Sequence, residues 1–190
     1  VGFVKSPDAA LRARLKKLSE WYRKHRRREV TFRVLGIDPG SRVTGYGVIE
    51  KARSGLRHII YGEIKPGKGA TLSLCLQTIY DGLREAIRQS APEALAIEDI
   101  FYGKNVKSLI RQGHVRGVAI LAGKHMGIPV YEYSPLEIKK AVVGYGRAEK
   151  NQVQTMVRAI LNLPELPPPD AADALAVAIC HSNFLKAEPI

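Results

Sequence analysis

The stretch VLGIDPGSRVTGYGVIE, from Val34 to Glu50, places a carboxylate where a buried strand ends. Its first apolar residues lead directly into Asp38, and the Pro39-Gly40 pair that follows is typical of a turn. A second apolar run begins only a few residues later. The stretch therefore predicts two adjacent strands joined by a tight turn, with an acidic side chain at the end of the first.

Outward from this stretch, the chain alternates between strand-like and helical patterns. Strands bounded by turn residues are predicted at 33–38, 43–50, 56–64, 94–99 and 129–133. Helices are predicted at 69–90, 104–126, 135–142, 148–161 and 170–186. The short links between the first three strands predict an antiparallel meander, whereas helical connections place strands four and five parallel to the first. The predicted fold is α/β, with a five-stranded mixed sheet flanked by helices.

Size and composition indicate one compact globular domain. The 190 residues are 45% hydrophobic and 25% charged, as in ordinary soluble domains. No apolar run approaches the roughly 18 residues that a membrane-spanning helix needs. We therefore expect a cytoplasmic protein whose two cysteines, Cys75 and Cys180, are buried and reduced.

The net charge of +12 is concentrated at the N-terminus. Residues 1–33 hold 11 Lys and Arg against 3 acids, while the rest of the chain holds 19 against 15. We predict a basic N-terminal extension over 1–32 and a folded domain over 33–187. Leucines at helical spacing favour a basic amphipathic helix that docks on nucleic acid or on a partner. A solvated, partly disordered extension and a transit peptide are the alternatives.

Acidic residues stand at the ends of three apolar elements. Asp38 and Glu98, in the segments GIDPG and AIED, each follow a strand of the parallel part of the predicted sheet. Ligands of α/β sheets collect at the carboxyl ends of such strands. Asp170 and Asp173, in DAADALA, are spaced to project from one face of the last helix. Carboxylates that meet at one place repel one another unless a cation lies between them.

The four carboxylates therefore predict a site for a hard divalent cation. Oxygen-only ligands suit Mg²⁺ or Mn²⁺ rather than zinc. Four of them suffice to hold two ions about 3.5–4 Å apart, an arrangement that serves phosphodiester displacement. Taken singly, Asp170 could be only an N-cap, Asp173 a first-turn acid that complements the helix dipole, and Glu98 an ordinary strand end.

Five motifs, in order along the chain, resemble the RuvC family of bacterial Holliday-junction resolvases, within the ribonuclease-H-like superfamily. They extend from about Val34 to His181 and read LGIDPGSRVTGYGVIE, AIEDIFYGKN, GHVRGVAI, KKAVVGYGRAEKNQVQ and DAADALAVAICH. The resemblance implies a homodimer that binds a four-way DNA junction and nicks two strands of like polarity symmetrically, in homologous recombination and DNA repair. It also implies Mg²⁺ as the cofactor, with Mn²⁺ as a substitute, and RuvA and RuvB as partners. The basic extension departs from the family, whose members begin just before the first strand.

The resemblance also assigns roles to individual residues. The family's catalytic carboxylates and metal ligands correspond to Asp38, Glu98, Asp170 and Asp173. Lysines associated with catalysis or with holding the scissile strand correspond to Lys139 and Lys150. Phe101 matches an aromatic residue that stacks on an opened base near the centre of the junction.

Further basic residues are candidates for DNA binding on their spacing alone. Lys104, Lys107 and Arg111 lie on one face of a predicted helix, and Arg147 stands in a glycine-punctuated loop before Lys150. Such a stripe and such a loop could follow a phosphate backbone. A solvated charged face and a plain turn between helices are the alternatives. For Phe101, the alternative to base stacking is packing onto the sheet.

Three other functions compete with junction cleavage. The GIDPG turn also resembles the phosphate loop of actin-like ATPases and sugar kinases, which enclose a nucleotide between two such domains, and this chain has the length of one. A module that only binds junctions does not need four acids beside a polyanion. A superfamily member that acts on RNA differs in its substrate.

A homodimer is also expected from the substrate, because two symmetric nicks need two active sites related by a two-fold axis. The predicted interface is the helix at 104–126, where VRGVAILAG presents small and apolar residues. Packing of this helix against the sheet is the alternative, and both faces could be used.

Overall fold

The computed structural model describes residues 31–100 and 105–185 of the chain. The strands are β1 (Phe32–Asp38), β2 (Thr44–Ala52), β3 (Gly55–Ile64), β4 (Ala94–Glu98) and β5 (Val130–Tyr133). The helices are α1 (Leu72–Ser90), α2 (Val106–His125), α3 (Pro135–Val143), α4 (Lys150–Ile160) and α5 (Pro169–Phe184). Every strand and helix predicted after residue 32 is present, and each end lies within three residues of its predicted position. Residues 1–30 of the predicted basic extension lie outside the described residues.

The five strands form one mixed sheet in the order β3-β2-β1-β4-β5. The first three strands are antiparallel neighbours, and β4 and β5 run parallel to β1, as predicted. The central strand, β1, is paired on both sides, and its residues Val34–Ile37 are buried. Burial on both faces explains why this segment is a continuous apolar run rather than an alternating one.

Two hydrophobic cores lie on opposite faces of the sheet. On one face, α1 and α2 pack against Leu35 and Ile37 of β1. On the other face, α3, α4 and α5 pack against Val34 of the same strand. Cys75 lies in the first core and Cys180 in the second, and both are buried and free, as predicted. Among the described helices, none combines the length and the apolar character that crossing a membrane requires.

Helix α5 lies directly against the sheet because glycines face it. It is rich in alanine, and eleven of its sixteen residues are buried. A Cβ atom on Gly36 of β1 would overlap the carbonyl oxygen of Ala174 in α5. One on Gly45 of β2 would overlap the carbonyl oxygen of Asp170. Close packing of backbone against backbone therefore sets the height of α5 above the sheet.

We predict that Gly36→Ala lowers the free energy of unfolding by about 1–3 kcal/mol, because the added methyl group must push α5 away from the sheet. Urea denaturation followed by far-UV circular dichroism measures this change. Gly67→Ala is the matched control, since a Cβ atom there meets nothing within 4 Å. Its effect should stay within about 0.5 kcal/mol. Equal losses at the two positions would contradict the close packing of α5.

Candidate active site

Carboxylates from three elements converge at the carboxyl edge of the sheet. Asp38 ends β1 and Glu98 ends β4, and because these strands are parallel neighbours in register, the two side chains emerge side by side. The start of α5 crosses the same edge above Gly45. One oxygen from each of Asp38, Asp170 and Asp173 lies within 4.8 Å of the others. Glu98 lines the same cavity as Asp38 and Asp173.

The two aspartates of α5 do not cap their helix. Pro168 is the N-cap residue and Pro169 the first helical residue, and within the described part of the chain no side chain caps this end. Asp170 is the second helical residue, so the alternative in which it is only an N-cap is wrong. Asp173 follows at i+3, which puts both carboxylates on one face of the helix.

Burial and the repulsion of neighbouring carboxylates raise the pKa values of Asp38, Glu98 and Asp170. The pKa of Asp38 rises from 3.8 to about 7, first because the carboxyl group is buried and then because Glu98 and Asp173 carry like charges. Burial and the charge of Asp173 also raise the pKa of Glu98. Burial is again the largest cause of the raised pKa of Asp170. The folded chain therefore holds these acids in a place that disfavours their charged forms.

Two lysines share a cavity of about 260 Å³ with the carboxylates. The Nζ atom of Lys150, at the start of α4, lies 2.7 Å from Oδ2 of Asp173. This hydrogen bond is the main reason that the pKa of Lys150 is raised. Lys139 of α3 lines the cavity beside Asp38 and Glu98, and its charge opposes the rise in the pKa of Glu98. The fold thus places both predicted lysines where they can meet an anion.

The donors of this cluster fit a hard divalent cation. All four acidic side chains offer only oxygen, the donor that Mg²⁺ and Mn²⁺ prefer. The raised pKa values of Asp38, Glu98 and Asp170 mean that nearby positive charge does not offset burial and repulsion at these three groups. A divalent cation would supply the missing positive charge.

A second cavity, of about 660 Å³, opens beside Asp170. It lies between the loop that joins β1 to β2 and the start of α2. Lys107 and Arg111, both predicted to contact DNA, line this cavity. Arg42 lines it as well, although the sequence did not lead to its prediction as a site residue. Its place in the turn directly after Asp38 was the available signal.

The other predicted DNA contacts are separate from these two cavities or fall outside the description. Arg147 is exposed in the loop that joins α3 and α4, three residues before Lys150. Phe101 and Lys104 lie outside the described residues, and their roles stay predictions.

An ion pair at the end of β3, which was not predicted from the sequence, also affects the electrostatics of the site. Oε2 of Glu63 and Nζ of Lys65 are 2.5 Å apart. The charge of Glu63 raises the pKa of Asp170, and the charge of Lys65 lowers it. Glu63 is paired with Gly45, the residue beneath the start of α5. No motif marks Glu63, because only the pairing of β3 with β2 brings it near Asp170.

The strand order, the helices on both faces and the acids at the carboxyl edge define a ribonuclease-H-like protein. Residues 34–181 match the family described as crossover junction endodeoxyribonuclease RuvC, and the chain belongs to this family.

Relatives of known name share most of the folded region. The crossover junction endodeoxyribonuclease RuvC of Syntrophotalea carbinolica is 56% identical over 151 residues, which are 80% of this chain and 94% of that protein. Its counterpart in Caldanaerobacter subterraneus is 55% identical over 152 residues, 80% of this chain and 92% of that protein. A solved structure of T. thermophilus RuvC in complex with a Holliday junction substrate is 34% identical, with a TM-score of 0.74. That match covers 80% of this chain and 93% of the other.

We predict that, without divalent ions, the free energy of unfolding falls as the pH rises from 3.8 to about 7, and falls less in Asp38→Asn. The raised pKa means that the folded chain keeps a proton on Asp38 that the unfolded chain releases. Unfolding therefore releases a proton in this interval and becomes easier as the pH rises. Urea denaturation at a series of pH values in EDTA measures the difference between the two proteins.

Added Mg²⁺ or Mn²⁺ should raise the melting temperature of the wild type at pH 7 and raise that of Asp38→Asn much less. Asp81→Asn, which changes an exposed aspartate of α1, is the control and should follow the wild type in both experiments. Parallel stability curves for wild type and Asp38→Asn would contradict the buried, uncompensated state of this carboxyl group.

Proposed function

We propose that this protein is a structure-selective endodeoxyribonuclease that resolves four-way (Holliday) DNA junctions by paired symmetric nicks, in homologous recombination and DNA repair. The single observation that carries the proposal is the carboxylate cluster, in which oxygens of three aspartates lie within 4.8 Å of one another. Relatives that are more than half identical over the matched residues are named crossover junction endodeoxyribonucleases, which supports this reaction. The related T. thermophilus protein is described in complex with a Holliday junction, which supports this substrate.

The proposed reaction is the hydrolysis of one phosphodiester bond by each subunit. Mg²⁺, or Mn²⁺ as a substitute, with two ions per site, would supply a water of lowered pKa and stabilise the leaving 3′ oxygen. Asp38, whose pKa responds to all three other acids, would contact both ions. Glu98 and Asp173 would each hold one ion, and Asp170 would ligate or orient the attacking water.

The two lysines would act on the substrate. A phosphodiester oxygen gains negative charge during displacement, and an ammonium group that donates a hydrogen bond to it stabilises that charge. Lys139 and Lys150 line the cavity in which the reacting phosphate would lie. The side chain of Lys150 is 73% exposed, so it can leave Asp173 for the phosphate with little loss of packing.

We predict that Asp38→Asn abolishes cleavage of a synthetic four-way junction and leaves junction binding intact. The substitution removes a metal ligand but no basic residue that could contact DNA. Cleavage in Mg²⁺ is measured with end-labelled strands on denaturing gels, and binding is measured by gel shift in EDTA. Asp81→Asn is the control and should keep both activities. Cleavage by Asp38→Asn at close to the wild-type rate would contradict the assigned role.

The same assay separates the competing functions. Two symmetric nicks that a ligase can seal support a resolvase, whereas a shifted but intact junction in Mg²⁺ supports a binding module. Preferential cleavage of RNA-containing duplexes supports another reaction of the superfamily. ATP turnover would support the ATPase alternative. By analogy with the family, we also propose RuvA and RuvB as partners of the junction-bound protein.

We further propose that the active form is a homodimer that associates through the outer face of α2. The inner face of this helix packs against the sheet through buried residues such as Val115 and Ala119. On the outer face, Val106 and Ile110 are 63% and 56% exposed. Gly117 lies on the same side, and a Cβ atom there would meet nothing within 4 Å. Exposed apolar side chains beside a glycine allow two helices to approach closely.

We predict that Gly117→Arg converts the dimer to a monomer. Because arginine is a better helix former than glycine, the substitution should stabilise the folded monomer by up to about 1 kcal/mol. Loss of the dimer could then not be ascribed to unfolding. Light scattering after size-exclusion chromatography measures the mass, with Gln77→Arg on the exposed side of α1 as the control. A dimer that persists in Gly117→Arg would exclude this face as the interface.

A further inference from the structure

Two adjoining cavities on the α1 and α2 side of the carboxyl edge make one groove. The first is the 660 Å³ cavity that reaches Asp170, and the second has a volume of about 340 Å³. Ser41, Arg42 and Arg111 line both cavities, so the two lie side by side. We call this surface the basic groove, after the four cations that line it: Arg42, Lys68, Lys107 and Arg111.

The charge of the basic groove is uncompensated. Its lining holds four cations against one carboxylate, that of Asp170. None of the ion pairs formed within the described ranges uses any of these four cations. The first turns of α1 and α2 border the groove and contain no acidic residue, so their positive helix ends add to the same field. The basic groove therefore favours an anion with several charges.

The loop that carries Arg42 is held in place from both sides. The Oγ1 atom of Thr44 donates a hydrogen bond of 2.7 Å to the carbonyl oxygen of Gly40. The Sγ atom of Cys75, in α1, lies 3.2 Å from the carbonyl oxygen of Ser41 and donates to it. The loop is therefore anchored to the sheet and to α1 before any ligand binds. A preformed wall reduces the entropy that binding would otherwise cost.

The basic groove and the carboxylate cavity meet at Asp170. Asp170 lines the groove, while Asp38 and Asp173 line the carboxylate cavity on the α3 to α5 side. Oxygens of these three residues lie within 4.8 Å of one another. The groove and the carboxylate cavity therefore lie next to each other at the carboxylate cluster.

We propose that the basic groove binds backbone phosphates of the cleaved DNA strand next to the scissile bond, with Arg42 and Lys68 as phosphate-binding residues. The strand then crosses the carboxyl edge of the sheet at Asp170, with the bond to be cleaved in the carboxylate cavity. This inference rests on the proposed function and adds to it a path for the strand and two contact residues.

The first test measures junction affinity in EDTA as a function of salt for the wild type and for Arg42→Gln/Lys68→Gln. The slope of log K against log salt should fall in magnitude by about two, one for each phosphate contact. With a slope of about 0.9 for each phosphate contact, the loss of two contacts lowers the affinity at 0.15 M salt roughly 30-fold relative to the wild type. The matched control is Arg53→Gln/Lys124→Gln, which removes two exposed cations at the opposite end of the sheet and should leave the slope unchanged.

The second test identifies the phosphates. Uncharged methylphosphonate linkages are placed one at a time on either side of the cleaved bond, and each junction is tested with both proteins. At a phosphate that contacts the groove, the neutral linkage should weaken binding by the wild type. The same linkage should not further weaken binding by Arg42→Gln/Lys68→Gln, because that variant already lacks the contact. Such non-additivity reports a direct contact.

The outcomes separate the two proposals. The groove proposal is refuted if the double variant keeps the wild-type salt slope and the methylphosphonate effects are strictly additive. The proposed resolvase function stands in that case, provided that the wild type cleaves junctions. A wild type that neither binds nor cleaves junctions refutes both. Urea denaturation of the double variant, compared with the wild type, shows whether a loss of affinity reflects a lost contact or a lost fold.

Discussion

Repulsion among acids at the carboxyl edge of the sheet is the interaction on which the chemistry of the site depends. Asp38 is largely buried at the end of the central strand, and its pKa rises to about 7 because burial and like charges disfavour its ionised form. Asp170 and Asp173 are held at this edge because the backbone of α5 lies directly on Gly36 and Gly45. Tight packing on one face of the sheet therefore holds acidic side chains close together at its edge, although they repel one another. A proton or a cation relieves this repulsion, and this connects the core of the protein to its chemistry.

Six of the positive charges within the described residues lie around this edge. Lys139 and Lys150 lie in the carboxylate cavity, and four further cations line the basic groove on the other side of Asp170. Bare carboxylates would repel a nucleic acid, so cations in both compartments are needed to hold a phosphate backbone beside them. The charge pair of Glu63 and Lys65 adjusts the acid at the boundary, since the two side chains shift the pKa of Asp170 in opposite directions. The electrostatics of the site therefore extend beyond its four acids.

The two sides of helix α2 differ in what they contact. Its inner side packs on the sheet, and Arg116 from this helix lies 3.3 Å from Asp99 and also pairs with Glu132. These contacts join the end of β4 to β5 and so support the strand end that carries Glu98. Its outer side exposes apolar residues and an open glycine. The motif GHVRGVAI thus combines a support for one active site with the surface proposed to join two of them.

The succession of strands and helices, the directions of the strands and the four acids could all be predicted from the sequence alone. Apolar periodicity and turn residues are local signals, short connections enforce antiparallel neighbours, and acids at the ends of apolar runs stand out within a few residues. The partners of those acids could not be predicted in the same way. Glu63 lies in an edge strand without a distinctive pattern, and only the pairing of that strand brings its charge near Asp170. Arg42 lies in the turn after Asp38, and only the packing of this turn beside α2 places it in one cavity with Asp170. Local patterns determine what a segment becomes, whereas distances between remote segments are decided by how the layers pack, and the electrostatics of a site depend on those distances.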